Sequence, residues 1–431
     1  MGFKITRRGV ALTAGALGAV AAGGAGWVYM WQRGTKPVVA LASDGARILD
    51  LAGPMEILGR LPSARPLYVG ETLGWKSAAR GPLRFEATAS LVGEASRPDV
   101  IIVAGSQTRA PTSGEVDWLR KGADHARGIL AVGRGQEMLA AAGLTADGDR
   151  IVACEGGSGA LDAALALAAR LSTQTYAEGL QLAIEYDPAP PFAAQAEAAL
   201  PADLSTLRAG ILLYEGMTAL DAMGPYEVLT RVPGIDIDLI GVADSAIRSD
   251  TGALHLQVTR TIANAPTYDL LIIPGGAYGT IQAARNEALL AWLRERTAGE
   301  GQVMSVCTGA LILAQSGALQ GLDATTHWAS RDTLETLGAN YQHERYIAHE
   351  RLTTAAGVSA GIDVTLAALG RMLGAEAGAA IQAQLPYAPN PPFRSGAFQG
   401  ARPEVIEAAT QILQHNATTS AVRMNFLKHR H

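Results

Sequence analysis

The sequence predicts an α/β protein built from two tandem domains with mainly parallel sheets. Short apolar strands alternate with amphipathic helical segments, which is the pattern of βαβ units. The chain also contains an internal repeat, because motifs of the first half return in order in the second half. At 431 residues it is long enough for about two to three domains.

Residues 1–36 are predicted to be a targeting segment. Lys4, Arg7 and Arg8 precede the uncharged stretch 9–32, which resembles a twin-arginine export signal with an A-x-A cleavage site at 19–21. A stretch of about 23 residues can also span a bilayer as an uncleaved anchor helix, so both alternatives stay open. In either case we expect the rest of the chain to be exported across the cytoplasmic membrane. The protein would then be soluble or anchored at its N-terminus, and it would touch the membrane only through this segment.

The two domains are predicted to span residues 37–200 and 207–400, joined by an Ala-rich linker at 193–206. Each begins with a short apolar strand and a helix that share one pattern. The helices read LDLAGPMEIL at 49–58 and LDAMGPYEVL at 220–229. Residues 401–431 are predicted to form a C-terminal helix, from about 403 to 414, and a tail.

Later matches show where the two halves differ. The pairs 158–162 with 359–363 and 190–192 with 391–393 share a spacing of 201 residues. Gly133 and Cys307 occupy matching positions at a spacing of only 174 residues. The first half therefore lacks about 27 residues shortly after this position, where the second half has ATTHWAS at 324–330 and a following helix.

Cys307 is the candidate nucleophile. The apolar run 303–306 breaks at this cysteine, and Gly309 opens an Ala/Leu helix, which is typical of a sharp strand-to-helix turn. A helix N-terminus favours the thiolate and lowers the thiol pKa, to about 3.5–7.5 in activated cases. The alternative is an ordinary buried core cysteine.

Other candidates also have two interpretations. Asp221, on an apolar helix, could exchange a proton with Cys307 or could serve as a helix-start residue, as Asp50 would in the first half. Gly275 and Gly276 could direct backbone N–H groups at developing negative charge or form a plain turn. His327 and Trp328 are candidate pocket residues or structural ones. Glu227 is a supporting carboxylate or a helix-face residue.

Composition excludes several classes of function. The net charge is -5 and no long basic run is present, so nucleic acid is not an expected partner. Hydrophobic residues make up 48% of the chain, which is typical of a globular protein with large cores. Two cysteines rule out a disulfide scaffold, and no Cys/His cluster has the spacing of metal ligands, so no metal is expected.

The second domain resembles the ThiJ/PfpI family. The resemblance rests on motifs in family order: LDxxGPYEVL at 220–229, PGG at 274–276, VCTGA at 306–310, ATTHWAS at 324–330 and GVSAGID at 357–363. The first domain is similar more weakly, since it keeps Asp50 and EYDPAPPF at 185–192 but lacks the cysteine, the PGG and the His-Trp segment. The resemblance implies two flavodoxin-like, class I glutamine amidotransferase-like three-layer domains, the first of them degenerate.

It also implies a cysteine-dependent enzyme without a cofactor that acts on a small-molecule electrophile. Cys307 would be the nucleophile, Asp221 its acid/base partner, and Gly275, Gly276 and Thr308 would bind the oxyanion or substrate. Hydration of an isocyanide to an N-formamide is the activity that the motifs favour. The alternatives are a glyoxalase-like, amidase or redox-sensing activity, or a non-enzymatic ligand sensor.

The family implies two further expectations. Its peptidase-like members have a histidine directly after the cysteine, so Thr308 argues against proteolysis. Its domains commonly pair as dimers, so we expect the two halves to form an intramolecular pseudo-dimer with the first as scaffold. Further oligomerisation stays open.

Overall fold

The computed structural model describes residues 35–193, 200 and 206–428. Residues 1–34 of the predicted signal or anchor segment and most of the predicted linker therefore lie outside the described residues, and Lys36 already belongs to the first strand. Within the described ranges no helix is both long and apolar enough to cross a membrane.

The first half contains a six-stranded sheet, all of whose neighbouring strands are parallel, in the order β5-β2-β1-β6-β7-β8. Its elements are β1 (Lys36–Leu41), α1 (Ile48–Leu58), β2 (Ala64–Gly70), β3 (Gly74–Ser77), β4 (Arg84–Ala87), β5 (Ala89–Ser90), β6 (Val100–Val103), α2 (Ser113–Ala123), β7 (Gly128–Val132), α3 (Gly135–Ala141), β8 (Ile151–Cys154), α4 (Ser158–Leu171) and α5 (Gln174–Ala183).

Side chains of this sheet alternate between its two faces and pack into two hydrophobic cores. Val39 and Ile101 join Trp118 of α2 and Met138 of α3 on one face. Residues one position away, such as Ile102, point to the other face and join α1 and α4 in a core that continues into the second half. The central strands β6 and β7 are apolar and buried along their whole length, because both faces of the sheet are covered there.

The second half has the same central strand order, with one extra strand at the edge. Its order is β13-β10-β9-β14-β15-β19-β18, and only β18 is antiparallel. Its elements are β9 (Arg208–Leu213), α6 (Ala219–Leu229), β10 (Asp236–Gly241), β11 (Ile247–Arg248), β12 (His255–Leu256), β13 (Arg260–Thr261), β14 (Leu270–Ile273), α7 (Tyr278–Ala283), α8 (Glu287–Ala298), β15 (Gln302–Val306), α9 (Gly309–Ser316), β16 (Asp323–Ala324), α10 (Arg331–Thr336), β17 (Asn340–Tyr341), β18 (Tyr346–Ala348), β19 (Leu352–Ala355), α11 (Val358–Leu373), α12 (Ala375–Gln384) and α13 (Pro403–Lys428).

The prediction of an α/β fold with mainly parallel sheets is confirmed. Both central orders follow the doubly wound 2-1-3-4-5 pattern, in which ligands bind beyond the carboxyl ends of the strands. The extra residues expected after the α9 helix form β16, α10, β17 and β18, none of which has a counterpart among the described residues of the first half.

The two halves contact one another closely. Helix α1 packs against α6. A four-stranded antiparallel sheet, β11-β12-β4-β3, includes strands of both halves and pairs Leu256 with Phe85.

The C-terminal helix differs from the prediction. It does not end near Gln414 but continues to Lys428, because the residues beyond contain no proline or glycine and bury Ala421 and Met424. It also packs chiefly on α5 of the first half rather than closing the second half alone.

Candidate active site

Cys307 lies at the turn between β15 and α9, as the sequence predicts. Its φ of 57° is in the left-handed region, where a residue with a side chain costs about 1–3 kcal/mol of strain. Its N–H donates to Ala355 O (3.0 Å), and its carbonyl accepts from Thr326 Oγ1 (3.0 Å). Gly133 makes the same turn in the first half, with a φ of 53° and an N–H bond to Cys154 O (2.8 Å).

The thiol is nearly enclosed, with only 9% of Cys307 exposed. Burial raises the pKa of this thiol well above its usual range, and the carboxyls of Asp221 and Glu185 raise it further. The backbone N–H of Thr308 acts in the opposite direction. The lowered pKa expected at a helix N-terminus is therefore wrong, because desolvation and two carboxyls outweigh the backbone N–H at the start of the short helix α9.

Asp221 is fully buried on α6 and faces the thiol. Its Oδ2 accepts from Gly275 N (3.1 Å), whereas Oδ1 has no hydrogen-bond partner among the described residues. Burial raises the pKa of this carboxyl to about 7, and the Gly275 N–H offsets part of that rise. Near neutral pH the carboxyl can therefore either accept or donate a proton.

The glycine pair does not have free amides in this structure. Gly275 N donates to Asp221, and Gly276 N donates to Thr308 Oγ1 (2.9 Å), which itself donates to Gly276 O (2.9 Å). A Cβ on Gly275 would lie 2.6 Å from Thr308 N and 2.9 Å from Asp221 Oδ2. The glycines allow two loops to meet closely and fix Asp221 and Thr308 in position, while their oxyanion role stays a prediction.

His327 and Trp328 both contact the first half. His327 Nε2 lies 3.1 Å from Ala183 O, and Trp328 Nε1 donates to Leu182 O (3.2 Å). Burial lowers the pKa of His327 to about 4, so its ring is neutral and Nε2 carries the donated proton. These contacts give both rings an interface role, because each needs an acceptor that the first half supplies, and the pocket role stays a prediction.

Glu227 also lies at this interface. Its carboxyl pairs with Arg231, which follows the end of α6, and lies 3.7 Å from Arg47 Nε of the first half. Burial raises its pKa to about 7, and Arg231 offsets part of the rise. Of its two interpretations, the contacts favour a supporting carboxylate between the halves.

The sequence interpretation missed Glu185 as a member of this site and named it only within the EYDPAPPF motif. It belongs to the first half, yet its carboxyl acts electrostatically on Cys307 and Asp221. A signal was present: at the repeat spacing of 201 residues Glu185 matches Pro386, a difference inside an otherwise shared motif.

Comparisons with known proteins agree with the motifs. A family model described as the DJ-1/PfpI family matches residues 207–371. Isonitrile hydratase from Pseudomonas putida is 39% identical over 203 residues, which cover 47% of this chain and 88% of that protein. The chain belongs to the DJ-1/PfpI family.

Two further proteins have lower identities to this chain. The Parkinson disease protein 7 homolog of Danio rerio is 24% identical over 191 residues, which cover 41% of this chain and 96% of that protein. A solved ThiJ/PfpI family protein from Pseudomonas syringae is 31% identical, covers 51% of this chain and 91% of its own, and has a TM-score of 0.47.

Proposed function

We propose that this DJ-1/PfpI protein is a cofactor-independent hydratase that adds water to isonitriles (isocyanides) to give N-formamides. The observation that carries the proposal is the pairing of Cys307, strained at the strand-to-helix turn, with Asp221, a buried carboxyl that has one unpartnered oxygen. The identity of 39% to an isonitrile hydratase supports the choice of substrate class.

In the first step Cys307 is the nucleophile. The thiol proton passes to the Asp221 carboxylate, the sulfur attacks the terminal isonitrile carbon, and Asp221 delivers the proton to that carbon. The product is a thioimidate, R–N=CH–S, with no leaving group. A neutral resting thiol suits this step, because the proton that the carbon needs is already in the site.

In the second step water releases the product. Water attacks the thioimidate carbon, its proton goes to the nitrogen, and the C–S bond breaks as the carbonyl forms. The hydroxyl proton returns through Asp221 to the departing sulfur, which regenerates the thiol. The balance is one isonitrile and one water consumed for each N-formamide formed.

The raised thiol pKa disfavours one alternative, peroxide sensing. Oxidation by peroxide requires the thiolate, and redox-sensing cysteines have a low pKa and an accessible sulfur. Cys307 has the opposite properties, because it is buried and its pKa is raised.

The test is turnover of an alkyl isonitrile by the purified full chain, followed as N-formamide. We expect Cys307→Ala to abolish turnover and Cys154→Ala to preserve it, since Cys154 is a free, partly buried cysteine of the other half. Absence of turnover in the unmodified chain, or its persistence in Cys307→Ala, would sink the proposal.

We also infer that the two halves form an intramolecular pseudo-dimer in which the first half supports the site. Equivalent residues of the two halves exchange equivalent hydrogen bonds, which supports this inference. The pairs are Gln181 Nε2 to Phe393 O (3.0 Å) with Gln382 Nε2 to Phe192 O (2.7 Å), and Ala189 N to Asp363 Oδ2 (2.9 Å) with Asn390 N to Asp162 Oδ2 (2.8 Å).

A further inference from the structure

The loop that follows α5 belongs to the first half and places Glu185 against residues of the second half. Glu185 has a φ of 46°, so a residue with a full side chain is held in the left-handed region. The loop is fixed at the start of α11, because Val358 N donates to Ile184 O (3.2 Å) and Ser359 Oγ donates to Glu185 O (3.0 Å).

The carboxyl group of Glu185 is buried and only half satisfied. Oε1 accepts from Trp328 N (3.3 Å), whereas Oε2 is buried and has no hydrogen-bond partner in the described part of the chain. The residue as a whole keeps some exposed surface, so the buried part is the carboxyl end. An unsatisfied buried carboxyl oxygen is unfavourable for folding, and such groups recur at functional sites.

The second half leaves room for this side chain. A Cβ on Gly357 would lie 2.2 Å from Glu185 Cβ and 2.7 Å from its Oε2, so this position requires glycine.

The segments that hold the Glu185 carboxyl are also the segments that hold Cys307. Gly357 closely follows Ala355, which accepts the Cys307 N–H, and Trp328 closely follows Thr326, which donates to the Cys307 carbonyl. The Glu185 side chain therefore lies between the turn after β19 and the segment after β16, both of which hold the Cys307 backbone. Burial raises the pKa of Glu185 to about 8, so its charge state changes within the range where the enzyme would work.

The reciprocal loop provides an internal comparison. The loop of the second half reaches the first half in the same manner, since Ser158 N donates to Pro386 O (3.0 Å). There the residue that matches Glu185 is Pro386, and the residue at the nucleophile position is Gly133. Of these two reciprocal loops, only the one that reaches the half with the thiol has a carboxyl at this position.

We propose that Glu185 is a positioning residue of the Cys307 site, supplied by the first half, whose negative charge opposes thiolate formation at Cys307. The inference rests on the proposed role of Cys307 as nucleophile. It assigns the degenerate half a direct part in the chemistry: while the Glu185 carboxyl is neutral the thiolate forms more readily, and once the carboxyl ionises the thiolate is opposed.

Several other groups face Glu185 and contribute to its environment. They are Asp221 on α6, Asp187 on its own loop, Arg345 ahead of β18, Tyr341 on β17 and the Cys307 thiol, while the neighbouring His327 is neutral. Only Arg345 favours the carboxylate among these. The test must therefore change the charge of Glu185 and leave the others in place.

The experiment measures alkylation of Cys307 by iodoacetamide against pH in the full chain, with peptide mass spectrometry separating Cys307 from Cys154. Glu185→Gln keeps an acceptor for Trp328 N and removes the charge. We expect it to react about threefold to tenfold faster than the unmodified chain at pH 9 and nearly equally at pH 6. The matched control Glu155→Gln, an exposed glutamate of the same half, should follow the unmodified chain.

Equal rates for Glu185→Gln and the unmodified chain at pH 9 would overturn this inference while leaving the nucleophile proposal intact. A Cys307 that resists alkylation at every pH would overturn both. If Glu185→Gln does not fold, the unmodified chain provides the test. Its rate of Cys307 alkylation should rise less than tenfold per pH unit between pH 7.5 and 9, because Glu185 ionises there and its charge opposes the thiolate. A full tenfold rise per unit would contradict the inference.

Discussion

At Cys307 a strained backbone and a protonated thiol occur together. The strand-to-helix turn could be predicted from the apolar run and Gly309, because these are local features of the sequence. The thiol pKa could not, since it depends on burial and on Asp221 and Glu185, which are distant in sequence. In the proposed mechanism Asp221 has two effects of opposite sign: its charge opposes the thiolate, and its proton serves the reaction.

Asp221→Asn separates these two effects. Removal of the carboxylate should lower the thiol pKa, so alkylation of Cys307 by iodoacetamide at pH 7 should become faster. Hydration of an isonitrile should become about 100- to 10,000-fold slower, because the proton relay is lost. Parallel alkylation and turnover assays check this, and a variant with slower alkylation would contradict the electrostatic assignment.

At the scale of elements, the site is built where the loops after β14 and β15 approach one another. The sequence predicted the strand before Cys307 and a turn at Pro-Gly-Gly, because apolar runs and glycines have clear local signatures. It could not predict which partners use the glycine amides, nor that His327 and Trp328 point at carbonyls of α5. Those partners are set by packing between distant elements.

Gly275→Ala should disrupt this approach. The added Cβ would clash with Thr308 N and Asp221 Oδ2, so we expect a loss of about 1–3 kcal/mol in unfolding free energy and reduced turnover. Gly159→Ala is the matched control: its nearest atom would be Cys154 Cβ at 4.0 Å, and the change should stay below about 1 kcal/mol. Urea unfolding measures both, and a harmless Gly275→Ala would count against close packing as the function of this glycine.

At the scale of the whole molecule, the two halves share a central strand order, but only the second half has the cysteine, the Pro-Gly-Gly turn and the His-Trp segment. The repeat in the sequence predicted both sheets and the position of the inserted residues. It did not reveal the length of the C-terminal helix or its packing on the first half, since an amphipathic helix can pack on either half of the chain. The contacts of α1 with α6 and of α5 with α13 give the first half a structural role that composition alone does not disclose.

A chain without residues 37–200 should lose activity and either aggregate or self-associate. The deletion uncovers the face of α6 that packs on α1, and it removes the acceptors of His327 and Trp328. Pairing with a second copy would place Pro386 where Glu185 stands. Size-exclusion chromatography with a turnover assay checks this expectation, and a monomeric fragment with full activity is the result that would refute the pseudo-dimer.

Buried carboxyls should make the fold less stable as pH rises. The pKa values of Asp221 and Glu227 are raised to about 7 and that of Glu185 to about 8, so the folded state holds protons that the unfolded chain releases. The contribution of these carboxyls to the free energy of unfolding is full below the ordinary carboxyl pKa. It is lost as the pH rises through the raised pKa values of the folded state. Urea unfolding should show a falling free energy from pH 6.5 to 8.5, where His327 is neutral, and a flatter profile for Glu185→Gln.

The central claim is a covalent addition at Cys307, and intact-protein mass spectrometry during reaction with an isonitrile tests it most directly. We predict an adduct whose mass increase equals one whole isonitrile, because the first step has no leaving group. It should map to the Cys307 peptide and accumulate in Asp221→Asn if release is slowed more than addition. Formamide production without any adduct at Cys307, or an adduct confined to Cys154, would contradict the account.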